Sequence, residues 1–201
     1  MTDGPIVWID CEMTGLDTVH DALVEIAVIV TDAQLNPLDE GLDIIIAPPA
    51  GALADMDEVV VNMHTASGLL EALADGTTLA AAGARVLDYV RSHVAEPRKA
   101  PLAGSSVHVD RIFLARDLPE LDAHLHYRII DVSSIKELVR RWYPRVYFNA
   151  PAKTGGHRAL GDILDSIREL RYYRETVFVD EPGPATADAK KAAARVAAPT
   201  T

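Results

Sequence analysis

The most constraining feature of this chain is an apolar run, residues 6–12, that ends in two acidic residues. A nearly continuous apolar run predicts a strand that is buried on both faces of a sheet. Because side chains alternate along a strand, Asp10 and Glu12 point to one side and Cys11 to the other. Two neighbouring buried carboxylates carry a severe penalty of desolvation and repulsion, which a divalent cation between them would relieve. Taken alone, the pair is equally compatible with the start of a turn at Thr14-Gly15.

The rest of the chain predicts an α/β domain with a mixed sheet. Short turns separate the first three strands, which favours an antiparallel arrangement, whereas later strands are joined through helices. The further strands are predicted at 22–30, 42–46, 101–104 and 128–132. The helices are predicted from 77 to before Pro97, from about 111, from 134 and from 158 to 174.

Two further details concern the C-terminal half. Ser134-x-x-Glu137 is a capping box that predicts a helix start, with an apolar face at Ile135, Leu138, Val139 and Trp142. Residues 180–201 are rich in Ala and Pro and lack aromatics, which predicts a disordered tail. The folded domain is therefore expected to comprise residues 1–179.

Composition and charge restrict the possible partners and compartment. With 201 residues, 49% hydrophobic and 24% charged, the chain is typical of a globular protein and has no apolar run long enough for a membrane. The formal net charge of −11 argues against long nucleic acids, although basic residues concentrate in 128–174. A lone cysteine and the lack of a basic N-terminal region indicate a cytoplasmic protein without a secretory signal.

Three more titratable residues lie near predicted helix starts. Asp110 follows a short strand, where its common role is that of an N-cap. His157 and Asp162 begin the last predicted helix, after Gly155-Gly156. Considered singly, His157 is typical of a surface or helix-start residue, and Asp162 of a favourable charge near a helix N-terminus.

The combination is more specific than its parts. Asp-x-Glu at the end of the first strand, an Asp at a middle helix and His-x-x-x-x-Asp at the last helix resemble the histidine branch of the DEDD exonuclease superfamily. Ala159 stands where the other branch has a tyrosine. Over roughly residues 5–178 the chain looks like the oligoribonucleases in particular, which implies a ribonuclease H-like fold. The segments that carry this resemblance are 8–17, 64–69, 126–133 and 169–175.

The resemblance implies a two-metal 3′-to-5′ exoribonuclease that releases nucleoside 5′-monophosphates. Asp10 would bridge two Mg²⁺ or Mn²⁺ ions, Glu12 and Asp162 would complete one site, and Asp110 would serve the other. Such hard ions prefer oxygen ligands. His157 would accept a proton from the attacking water, a task that suits imidazole near neutral pH.

The resemblance also implies very short RNA substrates, dinucleotides above all. Leu16 would wedge between the two bases, although its position also suits a core leucine beside a turn. Ser106, Arg128 and Ser133 would cap the 5′ phosphate, and Ser133 could instead belong to a helix N-terminus. The family further implies a homodimer, in which Tyr127 reaches the site of the neighbouring subunit.

Departures from the family pattern affect substrate preference and leave the acidic set intact. Val59 replaces a common tryptophan, Gly104-Ser105-Ser106 replaces Gly-Asn-Ser, and the loop 143–154 is variable. The alternatives are a DNA-proofreading or tRNA-trimming exonuclease of the same superfamily. A non-catalytic nucleic-acid-binding module would be expected to have lost one of the acids or the histidine.

Overall fold

A computed structural model describes residues 4–197, and within them one five-stranded mixed sheet forms the centre of the protein. The strands are β1 (Ile6–Met13), β2 (Leu23–Thr31), β3 (Leu42–Ile45), β4 (Pro101–Gly104) and β5 (His126–Asp131), in the order β3-β2-β1-β4-β5. The pairs β1–β2 and β2–β3 are antiparallel, and β1–β4 and β4–β5 are parallel. The predicted mixed α/β sheet, antiparallel over its first three strands, is therefore confirmed.

Helices cover the sheet and its connections. They are α1 (Glu58–Ala66), α2 (Leu69–Ala72), α3 (Leu79–His93), α4 (His108–Asp117), α5 (Pro119–His124), α6 (Val132–Trp142), α7 (Pro144–Tyr147), α8 (Ala159–Thr176) and α9 (Thr186–Ala197). A short 3₁₀ turn follows α2 at Leu73–Asp75. Within residues 4–197, the helices include none that combines the length and the apolar character needed to cross a bilayer.

The alternation of β1 divides the core into two layers and decides where the acids point. Val7, Ile9 and Cys11 pack in one layer with residues of α3 and α4. Trp8 and its even-numbered neighbour Ile6 pack in the other layer with residues of α6 and α8. Asp10 and Glu12 share the parity of Trp8, so they face α8, and the buried Cys11 faces away as predicted.

Two helix starts differ from the predictions. The middle helix α4 begins at His108 rather than near 111, so Asp110 lies in its first turn and is not its N-cap. The capping box at Ser134 is also wrong, because α6 begins at Val132 and its N-cap is Asp131. The side chain of Asp131 accepts a hydrogen bond from the backbone N–H of Ser133 at 2.9 Å. An aspartate directly at the end of β5 caps the helix three residues earlier than the serine would.

The C-terminal tail contains order that the composition did not predict. Residues 186–197 form α9, none of whose residues is buried. The Ala- and Lys-rich run of this segment has a high intrinsic helix propensity, which accounts for the helix without any packing. The predicted disorder of residues 198–201 lies outside the described part of the chain, and the division at residue 179 stays a prediction.

Candidate active site

Three carboxylates meet at the end of the central strand. Asp10 and Glu12 come from β1 and Asp162 from the first turn of α8, and one oxygen of each lies within 4.8 Å of the others. They line a cavity of about 450 Å³ that faces the solvent beside His157 and Lys153. Carboxylate oxygens at this spacing are the donor set that hard divalent cations prefer.

Asp110 lies behind this cluster. Its side chain is buried, and Oδ1 accepts a hydrogen bond from the backbone N–H of Cys11 at 2.9 Å. β4 pairs with β1 at Val7 and Trp8, so the N–H of Cys11 lies beyond the paired part of these strands. The carboxylate of Asp110 accepts a hydrogen bond from this N–H instead. This hydrogen bond fixes the start of α4 against β1, at the residue between Asp10 and Glu12. Asp110 is near enough for its charge to raise the pKa of Asp10, but it is not one of the three carboxylates whose oxygens lie together.

Burial raises the pKa values of all four acids, and for Asp10 and Glu12 the charges of neighbouring acids add to this effect. Burial, reinforced by the charges of Asp110 and Asp162, raises the pKa of Asp10 well above its usual value. Burial and the charge of Glu25 raise the pKa of Glu12 to about 8. Burial also raises the pKa of Asp110 to about 6 and raises that of Asp162. A cation bound among these acids would remove the repulsion, so the residues present fit a divalent metal.

His157 lies in the loop that precedes α8, as the sequence predicted. Gly156 and His157 have backbone φ angles of +67° and +58°, which places both in the left-handed region. The imidazole is exposed and lines the same cavity as the three carboxylates. Its charge lowers the pKa of Asp162, against the raising effect of burial on that carboxyl.

The predicted substrate-binding residues lie on two loops, at the start of α6 and on the edge strand β5. The hydroxyl of Ser106 donates to that of Ser133 at 3.2 Å, and the carboxylate of Asp131 accepts both of their backbone N–H groups. Tyr127 and Arg128 are neighbours on β5, with the guanidinium carbon 5.4 Å from the centre of the tyrosine ring.

Leu16 lies on the loop after β1. Its side chain is 71% exposed, so it is not the core leucine that its position also suited. Asp21 supports this loop by accepting hydrogen bonds from the hydroxyl of Thr14 and the backbone N–H of Asp17.

The sequence analysis missed several residues around the acids. Lys153 lines the cavity, and its charge partly offsets the rise in the pKa of Asp10. Because it lies in a variable loop, the sequence did not indicate that it belongs to the site. Glu25 is fully buried and binds Arg158, and a lone charge within the apolar run of β2 was a signal that could have identified it.

His64 is also close to the cluster. It is fully buried, its Nε2–H donates to the carbonyl of Met13 at 2.9 Å, and its Nδ1 lies 3.9 Å from Oε2 of Glu12. The segment 64–69 carried part of the family resemblance, but the sequence analysis gave His64 no role in the site. Ser105 and Ser166 also line the cavity outside the predicted set.

Comparisons with known proteins agree with the geometry. The model of the exonuclease family (RNase T) matches residues 7–170. The oligoribonuclease of Streptomyces griseus is 66% identical over 194 residues, covering 96% of each chain. The oligoribonuclease of Leifsonia xyli is 59% identical over 191 residues, covering 95% of this chain and 92% of that one.

Solved structures add evidence about the fold. The zinc-bound form of the E. coli ExoI–ssDNA complex aligns with a TM-score of 0.66 at 17% identity, and the metal-free form with 0.63 at 18%. The alignments cover 87% of this chain but only 41% and 40% of those chains, so they support the fold alone. With its family match and its high identity over nearly full length, the chain belongs to the exonuclease family and, within it, to the oligoribonucleases.

Proposed function

We propose that this enzyme is a 3′-to-5′ exoribonuclease that hydrolyses very short RNA, especially dinucleotides, to nucleoside 5′-monophosphates. The observation that carries the proposal is the meeting of Asp10, Glu12 and Asp162 in a cavity that His157 also lines. The relatives named oligoribonuclease, at 58–66% identity, support the substrate class.

Two divalent cations, Mg²⁺ or Mn²⁺, would be held by Asp10, Glu12 and Asp162, with Asp110 serving the second ion directly or through water. Such ions would offset the charge of the carboxylates and the phosphate, and favour formation of the nucleophile and departure of the leaving oxygen. The raised pKa values of Asp10 and Glu12 support this assignment, because burial and the charges of neighbouring acids both disfavour the ionised carboxyls, and a bound cation would favour them.

His157 would act as the general base. Its imidazole is exposed on the wall of the cavity, where it can take the proton of the attacking water and release it to solvent. The adjacent Lys153 would add positive charge on the same wall, where a phosphate has to approach four acids.

A small substrate fits the remaining residues. The paired hydroxyls of Ser106 and Ser133, together with Arg128 on the neighbouring strand, would bind a 5′ phosphate, for which guanidinium has the right fork of donors. The exposed Leu16 would insert between two bases. A net charge of −11 agrees with a ligand recognised at one end and not along a long backbone.

The enzyme would act as a homodimer in the cytoplasm. The edge strand β5 and the following helix α6 expose large apolar side chains, among them Tyr127, Ile129, Leu138 and Trp142. A row of apolar residues at an unpaired sheet edge is typical of a surface covered by another chain. A second copy placed there would bring Tyr127 towards the site of its neighbour.

The test is a time course with a 5′-labelled RNA dinucleotide, a seven-nucleotide RNA and single-stranded DNA, with and without Mg²⁺ or Mn²⁺. We expect metal-dependent release of nucleoside 5′-monophosphates, with the intact dinucleotide consumed faster than either longer substrate. Asp10→Ala should lose nearly all turnover, and His157→Ala should lose turnover while still binding metal and dinucleotide. Preferential digestion of the DNA, or of the longer RNA, would instead indicate a proofreading or trimming exonuclease.

A further inference from the structure

The loop that carries His157 is held at its N-terminal end by a buried carboxylate of α8. Oδ2 of Asp165 accepts hydrogen bonds from the backbone N–H groups of Thr154 at 2.6 Å and Gly155 at 2.7 Å. Its other oxygen accepts from the hydroxyl of Thr154 at 3.1 Å and from the guanidinium of Arg168 at 2.8 Å. Although burial alone would raise the pKa of Asp165, these donors lower it below its usual value, so the side chain is an anion.

The same loop is held at its C-terminal end by a second buried carboxylate. Oε1 of Glu25, on β2, accepts from Nε and Nη2 of Arg158 at 2.8 and 2.5 Å. Its Oε2 accepts the backbone N–H of Ala159, the first residue of α8, at 3.0 Å. The side chain of Glu25 is fully buried, so the sheet itself holds the start of the helix.

Only Gly156 and His157 lie between these two held segments. Both have left-handed backbone angles. For a histidine this conformation costs free energy, so the surrounding structure has to hold it in place. The carboxylates of Asp165 and Glu25 hold this conformation in place. Asp165 binds the two residues before the pair, and Glu25 binds the two residues after it. The imidazole is left exposed on the cavity wall, while its backbone is fixed from both directions.

We infer that Asp165 and Glu25 are positioning residues for His157, which hold its imidazole over the acid cluster by fixing the loop 154–159 at both ends. This inference rests on the proposed role of His157 as the general base. Asp165 is the residue to test, because three of its four hydrogen bonds go to Thr154 and Gly155 of the loop. Its charge also raises the pKa of Asp162, as the charge of Glu25 raises that of Glu12, so the test has to separate this effect from positioning. Asp165 lies three residues beyond Asp162 and faces the loop.

The substitution Asp165→Asn keeps the size of the side chain but cannot present an anion to two amides, a hydroxyl and a guanidinium. We expect kcat on the RNA dinucleotide to fall about 10- to 100-fold with KM little changed, since a small displacement of a catalytic group costs this much. In metal-free protein, the amides of Thr154 and Gly155 should exchange with deuterium faster than in the wild type. The matched control is Glu169→Gln, a buried carboxylate on the same helix that binds Lys136 and Tyr173 instead of the loop. It should leave kcat and the exchange of these amides near wild-type values.

A double-mutant cycle separates positioning from general destabilisation. In the His157→Ala background, Asp165→Asn should lower kcat by less than twofold, because the loop then carries no base to misplace. Equal fold-losses in both backgrounds, or a wild-type kcat for Asp165→Asn alone, would overturn the inference. If His157→Ala itself kept full activity, the proposed base would be wrong, so the two failures are distinguishable.

Discussion

At the scale of single residues, the acids were predictable and their neighbours were not. A carboxylate at the end of a buried apolar strand is energetically unfavourable unless it has a partner. Asp10 and Glu12 therefore stand out in the sequence as candidates for a functional role. Lys153, Glu25 and His64 lie in or near the same cavity. Only Glu25, a lone charge in the apolar run of β2, stands out in its local sequence. The proximity of all three residues arises from the packing of β2, α1 and the loop before α8 against β1, and spacing along the chain does not report it.

Arg128 provides a prediction at this scale. We expect Arg128→Ala to lower kcat/KM for 5′-phosphorylated dinucleotides about 10- to 100-fold, the loss of a charged hydrogen bond of ~1.5–3 kcal/mol. The seven-nucleotide RNA should be affected less, because its 5′ phosphate lies farther from the site. The measurement is kcat/KM for both substrates, with Arg140→Ala as the control, since Arg140 on the exposed face of α6 binds Glu137 instead. A uniform loss across both lengths would contradict the phosphate cap.

At the scale of elements, the strands followed the predictions more closely than the helix starts. The five strands agree with the predicted ones to within about two residues, because alternation and apolar runs are properties of the local sequence. The helices α1 and α2 were not predicted, and the β-branched run Val59-Val60-Val61 in α1 disfavours a helix. Their formation depends on tertiary contacts, such as that of Leu69 with Val24 of β2. The start of α6 depended on which of two polar residues caps it, a choice set by where β5 ends.

Gly155 provides a prediction about how the loop meets α8. A Cβ at this position would lie 2.6 Å from Oδ1 of Asp162 and 2.7 Å from its backbone nitrogen. Gly155→Ala should therefore displace Asp162 or the loop, weaken the binding of Mn²⁺ and lower turnover by at least about tenfold. Calorimetric titration with Mn²⁺ measures the first effect and dinucleotide hydrolysis the second. Gly4→Ala, where a Cβ would meet nothing within 4 Å, is the control, and equal metal affinity in both variants would refute the prediction.

At the scale of the whole molecule, the topology collects the site at one edge of the sheet. The acids near the end of β1, the serines after β4, and Asp131 and Ser133 at the end of β5 all lie at the carboxyl ends of parallel strands. Ligands bind at that edge in open α/β sheets generally, so once the strand order is known the position of the site follows. The order itself was indicated by the family resemblance, since composition and periodicity restrict the sheet only to a mixed arrangement.

Stability should depend on pH and metal in a specific direction. In the absence of metal, Glu12 has a pKa of about 8 in the folded protein against an ordinary value of 4.5, so the folded state binds more protons between these limits. Its contribution therefore destabilises the protein as pH rises from about 5 to 8, and the raised pKa of Asp10 acts in the same sense. We expect the melting temperature in a chelator to fall by several degrees over this range, and Mg²⁺ to restore most of the loss at pH 8. Glu12→Gln should flatten the slope, and an unchanged slope in that variant would contradict the assignment.

The exposed apolar surface of β5 and α6 provides the prediction about assembly. Trp142 is 66% exposed, and a charge there, in Trp142→Glu, should convert a dimer to monomers and lower dinucleotide hydrolysis through the loss of Tyr127 from the neighbouring site. Sedimentation velocity measures the assembly state, with the apolar and still more exposed Val196 of α9, changed to Glu, as the control. Dimers that persist in Trp142→Glu would place the interface elsewhere.

The hydrogen bonding of β1 has a consequence for how quickly the enzyme can be switched on. The strand pairs with β2 from Ile6 to Met13, and Asp110 takes up the amide of Cys11 that lies between the two acids. The backbone that carries Asp10 and Glu12 is therefore held by hydrogen bonds within the protein. Loading would require only ligand exchange and no refolding, so activity should follow a jump in free Mg²⁺ without a detectable lag.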